Sequence, residues 1–222
     1  MKKLIGNCYV EYDNKNKLWA VGFKNEYEKE LIVPDGVYGI GHNAFRNYYC
    51  LESLQLPETL KVIGESAFYR CSSLRKITLP SSITEISSKS PYGTFGSCLQ
   101  LVEVDLSNTK LKVLPEHLFY ECKKLQKVIL PKTLKKIEGD CFTWCENLTS
   151  IEFNEGLMII EENFVHMEGL TIINLPDSVV HIEDMGGSSS CLYRHVKTII
   201  LSAKQKEMFE PYLPEKCQII VR

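Results

Sequence analysis

The sequence contains no apolar run of about 18 residues, so it offers no candidate transmembrane helix. Two lysines follow Met1, but no apolar core of about 7–15 residues comes after them, and a secretory signal is therefore not indicated. Neither sign of charge is in excess, because 26 basic and 28 acidic residues leave a net charge of -2. A general affinity for nucleic acid or membranes is not expected. We predict a folded cytoplasmic protein, or a cell-surface protein if a signal has been removed.

Catalytic sequence motifs are also missing. The chain has no G-x-S-x-G, no Walker loop, no G-x-G-x-x-G and no H-E-x-x-H. Residues 186–190 are rich in glycine and serine but lack the lysine of a phosphate-binding loop, and we interpret them as a flexible insertion. The sequence therefore predicts no enzyme, no cofactor, and no catalytic or metal-ligating residues.

The nine cysteines do not indicate a disulfide framework, because their number is odd and several recur at regular positions. Zinc sites need clustered ligands such as C-x-x-C. The closest pair here is Cys141 and Cys145, and both fit the pattern of small buried apolar groups. An odd number of cysteines, with several at buried repeat positions, is typical of a reduced, intracellular protein.

A motif recurs every 22 to 27 residues between residue 31 and residue 201. Its consensus is L-x-x-L-x-L-P-x-x-L-x-x-I-x-x-x-A-F-x-x-C. Such a period is typical of a solenoid, in which each unit buries its apolar face only against its neighbours. The repeat favours a binding surface over a catalytic site.

The first half of each unit predicts a short strand, in which the leucines of L-x-L point inward and the other residues point outward. A proline follows the strand and ends its pairing, because proline has no N–H to donate. This position holds Pro34, Pro57, Pro80, Pro131 and Pro176, with Ser107 and Asn154 in two units. A second apolar row follows at Ile40, Ile63, Ile86, Ile137, Ile160 and Ile182.

The second half of each unit, A-F-x-x-C, predicts a helical turn, since residues three apart face the same way. The spacing predicts a stacked aromatic row of Phe45, Phe68, Phe95, Phe119, Phe142 and Phe164. A parallel buried row should contain Cys50, Cys71, Cys98, Cys122, Cys145 and Cys191, with Met167 filling one gap. Gly41, Gly64 and Gly139 should permit a tight bend before these segments.

The two ends depart from the repeat, as the caps of a solenoid must. Residues 1–27 predict a β-hairpin cap with strands at 4–12 and 18–23. Residues 28–201 form seven to eight repeat units, and residues 202–222 form a C-terminal cap. In that cap, Ser202 and Gln205 fit a capping box that opens a helix to about Leu213. The side chains expected to cover the last unit are Met208, Phe209, Tyr212 and Leu213. Pro214 should stop the helix before a final strand at 217–221.

The run L-x-x-L-x-L-P with A-F-x-x-C resembles the BspA-like, Treponema pallidum type, leucine-rich repeat family over roughly residues 28 to 201. The resemblance implies an α/β solenoid: a right-handed leucine-rich repeat superhelix with a parallel sheet on its concave side. It also implies partner binding, since family members are largely surface proteins implicated in adhesion and in binding host or partner proteins.

The positions free to carry function are the outward positions of the predicted strands. The predicted partner-binding residues are Lys76, Glu103, Asp105, Lys127, Ile129, Glu152, Ile172 and Asn174. Ile129, Ile172 and Ile200 should form an apolar patch with polar surroundings. We expect a protein partner of unknown identity to bind non-covalently toward units five to seven, to a chain that is monomeric on its own.

Charge is segregated along the repeat. Eight lysines lie between residues 110 and 136, and six glutamates lie between residues 146 and 168. We interpret these bands as solvated faces that pair between units; the alternative is a basic band that steers an acidic partner. Two other functions stay open. One is an adhesin-type extracellular module, and the other is a structural subunit that assembles through its ends or its flank.

Overall fold

The structure, a computed structural model, describes residues 1–89, 91–161, 169–182, 195–213 and 216–222, with only the backbone at residue 212. The chain winds into a parallel-strand solenoid of about eight turns that contains little helix. No helix in these ranges is long and apolar enough to cross a membrane. Some predictions concern residues outside these ranges, namely Phe164, Met167, Cys191, Pro214 and the insertion at 186–190.

The N-terminal segment forms an antiparallel meander of β1 (Lys3–Ile5), β2 (Cys8–Tyr12) and β3 (Leu18–Phe23). The sequence predicts two strands here, and the structure has three because Gly6 turns the chain at a φ of 60°. Glycine adopts that left-handed conformation at little cost. Strand β3 then pairs in parallel with β5 (Gly39–Ile40), so the meander lies directly on the first turn of the solenoid.

The L-x-L segments form parallel strands that we call the long-strand face. They are β4 (Glu30–Ile32), β6 (Ser53–Gln55), β8 (Lys76–Thr78), β10 (Glu103–Asp105), β12 (Lys127–Ile129), β15 (Ile172–Asn174), β17 (Thr198–Leu201) and β18 (Gln218–Val221). They pair as three separate sheets, β4–β6, β8–β10–β12 and β15–β17–β18. The alternation confirms the prediction, since Ile77, Val104 and Ile173 are buried while the flanking residues face outward.

A second row of strands, each of two residues, forms the short-strand face. Its members after β5 are β7 (Val62–Ile63), β9 (Glu85–Ile86), β11 (Val113–Leu114), β13 (Lys136–Ile137), β14 (Ile159–Ile160) and β16 (His181–Ile182). The predicted isoleucine row is buried here. The glycine that follows Ile63 allows close approach of the backbone: a Cβ on Gly64 would lie 2.7 Å from the His42 nitrogen of the neighbouring turn.

The A-F-x-x-C segments form the third side of the coil, the turn face, and the prediction of helical turns is wrong for those described. Residues four apart adopt positive φ, as at Asn43 (55°) and Asn47 (64°), which an α-helix does not allow. Alternate N–H groups then donate to the next turn of the solenoid. Phe45 N–H donates to Ala67 O at 2.8 Å, and Arg70 N–H donates to Gly96 O at 2.9 Å. The backbone groups that a helix would pair internally are thus paired between turns.

The aromatic row is confirmed for its described members. Phe45, Phe68, Phe95, Phe119 and Phe142 are fully buried, and neighbouring rings stack with centroids 5.2–5.9 Å apart. The ring planes differ by 18° or less. The stack runs through five turns and forms the centre of the core.

The C-terminal segment begins its helix α1 (Ala203–Phe209) as the capping box predicts, with Ser202 as N-cap and Gln205 bonding back to it. A 3-10 turn (Glu210–Tyr212) continues the chain, and β18 pairs with β17. Gln205 Nε2 donates to the carbonyls of Pro176 and Val179, at 2.8 and 3.0 Å. Phe209 is buried and Leu213 packs against the core, whereas Met208 is 37% exposed. The side chain of Tyr212 lies outside the described part of the chain.

Candidate functional site

Three of the predicted site residues form a cross-strand charge cluster on the long-strand face. Register places Glu103 between Lys76 and Lys127 on the two neighbouring strands. Glu103 Oε1 lies 3.4 Å from Lys76 Nζ and 3.9 Å from Lys127 Nζ. Both lysines are more than half exposed, so these pairs are screened by water and leave the ammonium groups accessible.

Asp105 is held at the end of β10. Its Oδ1 accepts from the Ser107 hydroxyl at 2.6 Å and from the Ser107 N–H at 2.9 Å. These bonds, with the charges of Lys76 and Lys127 nearby, lower the pKa of Asp105. Ile129 is its register partner on β12 and is half-buried. Asp105 is therefore a fixed carboxylate beside a small apolar surface.

Glu152 lies where the long-strand face is interrupted. The sequence predicts a strand at residues 150–152, but the structure has none there. Among the described residues, no backbone hydrogen bond joins residues 126–130 to residues 150–152. Asn154, which stands in the place of the usual proline, instead bonds through its side-chain amide to the Lys132 and Leu134 carbonyls. This turn is therefore tied to its neighbour outside the strand ladder.

The interruption leaves two grooves on the long-strand face. The first groove, of about 410 Å³, lies between residues 126–130 and residues 150–154. The second groove, of about 350 Å³, lies between residues 151–155 and Asn174, Pro176 and Arg222. Lys127, Ile129 and Glu152 line the first groove, and Glu152 and Asn174 line the second.

Arg222 forms one wall of the second groove. Its guanidinium donates to Asn174 Oδ1 and to the Leu175 carbonyl, both at 2.6 Å, and pairs with Asp177. Sequence reasoning did not find this residue, because the contact spans more than 40 positions and no pattern around Arg222 signals it. It places a cation opposite Glu152 and Glu155.

The predicted patch of three isoleucines does not form. Ile172 is 54% exposed, but it lies at the first outward position of its strand, in register with Thr198. Ile129 and Ile200 lie at the second outward position, and the turn that carries Glu152 and the strand that carries Asn174 lie between them. The outward positions alternate along a strand, so isoleucines at different positions belong to different rows.

A family model, the BspA type leucine-rich repeat region, matches residues 18–93 and 91–191 in six copies. The chain belongs to the BspA-type leucine-rich repeat family. Proteins with such repeats are generally non-enzymatic. A comparison with curated protein sequences found no match.

Solved structures of bacterial leucine-rich repeat proteins share this fold. One, from Bacteroides ovatus, is 20% identical with a TM-score of 0.61 and covers 98% of this chain and 66% of its own. One from Eubacterium ventriosum is 22% identical with a TM-score of 0.63, over 79% of this chain and 48% of its own. The BspA-type chain thus spans two thirds or less of the length of these relatives. A leucine-rich cell surface protein from Faecalibacterium prausnitzii is 16% identical, with a TM-score of 0.46 over 90% of this chain and 88% of its own.

The cysteine row of this BspA-type solenoid is buried as predicted at four of its described positions, whereas Cys50, in the first turn, is only partly buried and its predicted place in the buried row is wrong. Cys71, Cys98, Cys122 and Cys145 have no exposed surface. Each thiol donates to the carbonyl of a phenylalanine in the neighbouring turn, at 3.2–3.4 Å. Burial raises the pKa of the Cys71 thiol to about 12 and raises that of the other three well above the ordinary value. These thiols therefore stay protonated and unreactive near neutral pH.

Alkylation should separate these thiols from the rest. At about pH 8, a short exposure of the native protein to iodoacetamide should leave Cys71, Cys98, Cys122 and Cys145 unlabelled, since only the thiolate reacts. After unfolding without a reductant, all nine cysteines should be labelled. Peptide mass spectrometry reads both states. Early labelling of the row, or fewer than nine labelled sites after unfolding, would contradict this assignment.

One cluster with the composition of a metal site occurs among the described residues, at Glu116, His117 and Asp140. The Glu116 carboxylate lies 3.4 Å from His117 Nδ1, whereas Asp140 lies 3.9 Å from His117 Nε2. The two carboxylates thus approach opposite ring nitrogens and do not converge on one side of the imidazole. The arrangement is a histidine flanked by two carboxylates on opposite edges of its ring, and His117 Nδ1 makes no hydrogen bond within the described residues.

The lysine-rich and glutamate-rich bands contain the ion pairs between units that their interpretation predicts. Lys123 Nζ lies 3.0 Å from Glu146, one turn further along. Lys136 pairs with Glu138 and with Glu161 of the next turn, and the hydrogen bond that its ammonium donates to Glu161 contributes most to raising its pKa. Part of the charge in each band is therefore neutralised between neighbouring turns.

Proposed function

We propose that this chain is a non-catalytic protein-binding module whose partner seats on the long-strand face, over the two grooves beside Glu152. The observation that carries the proposal is the break in strand pairing at residues 150–152, which opens both grooves within the set of predicted site residues. The long-strand face is also unpaired between β6 and β8, but the gap at residues 150–152 is the one that both grooves adjoin. The outward strand surface is what repeat proteins have available for recognition.

Backbone groups at the first groove support recognition of a protein. Lys127 N–H donates to Val102 O, and Ile129 O accepts from Leu106 N–H, so both residues pair toward β10. In a parallel ladder, the intervening Val128 directs its N–H and C=O to the other side, which is the first groove. A backbone N–H or C=O group that has no hydrogen-bond partner within the protein must form its hydrogen bond with water or with a bound chain.

The side chains around the grooves support the same conclusion. Ile129 and Phe153 supply apolar surface within the grooves, and Ile172 is exposed on the adjoining β15. Lys127 and Glu152 supply charges of both signs, and Asn174 supplies an amide. A small apolar centre with a polar rim is the usual composition of a protein interface. The identity of the partner and a cytoplasmic location both stay predictions.

The experiment begins with partner capture and ends with purified components. A photoreactive amino acid in place of Lys127 cross-links the partner, which is then purified and titrated against the native chain by calorimetry. The triple variant Lys127→Glu, Glu152→Lys, Ile172→Asp should weaken binding by about 100-fold or more, since it reverses two charges and places a third in the interface. Its unfolding free energy should change little, because these side chains lie outside the core.

A matched control keeps the same changes but moves them to the short-strand face: Lys112→Glu, Glu85→Lys, Val113→Asp. These residues are also exposed and also comprise a lysine, a glutamate and an aliphatic. The control should bind with native affinity. If the long-strand variant binds normally, or if both triple variants weaken binding equally, the partner does not seat on these grooves.

A further inference from the structure

Aromatic and arginine side chains line the turn face from its first turn to its fifth. We number these turns by their row residues, Phe45 for turn one, then Phe68, Phe95, Phe119 and Phe142 for turn five. The aromatic stripe consists of Arg46, Tyr69, Arg70, Tyr92, Tyr120 and Trp144. No pattern in the repeat requires aromatic residues here, because the positions face away from the phenylalanine row.

The members of the aromatic stripe make contacts within two groups, one at turns one to three and one at turns four and five. The Arg46 guanidinium lies 5.0 Å from the Tyr69 ring centroid and 4.7 Å from that of Tyr92. Tyr69 and Tyr92 lie 5.1 Å apart, and Tyr120 and Trp144 lie 5.2 Å apart. Tyr92 and Trp144 are each 44% exposed, while Tyr69 is buried. The stripe is therefore a packed surface with two accessible rings.

The two ends of the stripe carry opposite charge. Arg46 and Arg70 lie at turns one and two, with both guanidinium groups over the Tyr69 ring. Glu121 and Asp140 lie near Tyr120 at turns four and five, and Glu116 lies beside His117, whose ring centroid is 5.5 Å from that of Tyr120. Burial, followed by the charges of Glu121 and Asp140, raises the pKa of Tyr120, which places these carboxylates beside the stripe.

The charges are also arranged symmetrically about turn three. Arg70 and Glu121 occupy the same position of their repeats, the second residue after the row phenylalanine, and both have a φ close to 60°. They lie one turn to either side of turn three. A two-fold axis can pass through turn three, in the plane of the interface and perpendicular to the long axis of the solenoid. Rotation about this axis brings turn two of one copy against turn four of the other. Residues at the same position across the stripe then face each other.

We propose that the aromatic stripe is the interface of a two-fold homodimer, in which two copies pack antiparallel about turn three. Arg70 of one copy then faces Glu121 of the second copy, twice over, as an isologous interface requires. Arg46 faces Trp144 and Asp140 of the second copy, where a guanidinium can lie over an indole ring. Tyr92 lies near the axis and meets its own equivalent. Tyrosine, tryptophan and arginine are the residues that contribute most to protein interfaces.

The size of the stripe predicts a weak dimer. Four steps of about 5 Å between turns give a stripe about 20 Å long. It would have to be about 40 Å wide to bury the roughly 800 Å² per partner of a standard interface, and a single row of side chains is much narrower. The dimer should form at high micromolar concentration and weaken as salt increases, because its charges lie at the rim. This differs from the monomer that the repeat pattern alone predicts, and it is independent of the partner on the long-strand face.

The test is sedimentation velocity on two charge-reversed variants, Arg46→Glu with Arg70→Glu, and Glu116→Arg with Glu121→Arg. The repeat itself carries glutamate at the equivalent of Arg70 and arginine at the equivalent of Glu121, so the backbone accepts both residues. Native protein should shift from monomer to dimer between about 10 and 500 µM. Each variant alone should stay monomeric, because like charges then face each other.

An equimolar mixture of the two variants should form a dimer again, since every reversed end meets an oppositely charged end. This rescue separates the proposal from a folding defect, because an unfolded variant would not be rescued. A native protein that stays monomeric throughout the range overturns the proposal. So do variants that dimerise as the native chain does, and folded variants whose mixture remains monomeric.

Discussion

Replacement of Phe119 by alanine is expected to lower the free energy of unfolding by about 3–5 kcal/mol. Phe119 has no exposed surface, and its ring stacks on those of Phe95 and Phe142, at 5.9 and 5.7 Å. Its truncation leaves a cavity in the middle of the row. Both neighbouring turns lose contacts, and their spacing is held by backbone bonds, so the cavity cannot close.

Urea denaturation followed by circular dichroism measures this effect. Tyr27→Ala is the control, since Tyr27 is an aromatic residue that is 71% exposed, and its removal should change stability by no more than about 0.5 kcal/mol. Equal stability of the Phe119 variant and the native protein would show that the aromatic row does not hold the turns together.

Deletion of residues 202–222 is expected to convert the soluble protein into aggregates. The deleted segment contains β18, which covers the edge of β17, and Phe209 and Gln205, which lie buried against the preceding turns. Without them, β17 presents an unpaired edge in which Ile199 and Leu201 alternate with outward residues. Exposed apolar edge strands pair with other chains, and solenoids that lose their ends aggregate.

Light scattering after size-exclusion chromatography measures the mass of the species that elute and so detects the aggregates. A milder variant, Gln205→Ala, keeps β18 but loses both bonds to the Pro176 and Val179 carbonyls, and it should stay soluble with reduced stability. A truncated chain that elutes as a soluble, folded species would show that residues 202–222 do not act as a cap.

The parts of the fold that the sequence predicts are those that the repeat specifies many times. Phe68 and Cys71 are buried in their predicted rows because each unit can bury them only against its neighbours. The helical turn was wrong for a physical reason: a spacing of three residues fits both a helical turn and a chain of turns that pair with the next unit. Asn43 and Asn47 were the available signal, since asparagine tolerates positive φ better than most residues.

The candidate site was predictable only in part. Strand alternation predicts that Lys127 and Glu152 face outward. Both are exposed, although Glu152 lies outside any strand. The break in pairing at residues 150–152 depends on how successive turns pack against each other. Asn154 in place of proline does not signal it, because Ser107 replaces the proline after β10 and β10 is paired on both sides. The repeat pattern did not predict the aromatic stripe, because Tyr92 lies in a longer segment before Phe95 that departs from the repeat.

Amide hydrogen exchange of the chain with and without its purified partner tests the proposed function most directly. Bound partner should slow exchange at residues 126–130 and 150–154, where Val128 directs its backbone into the first groove, and at β15. Exchange at β7 and β9 of the short-strand face should stay unchanged. Protection confined to the short-strand face or the turn face, with residues 126–130 and 150–154 exchanging as in the free chain, would contradict the account.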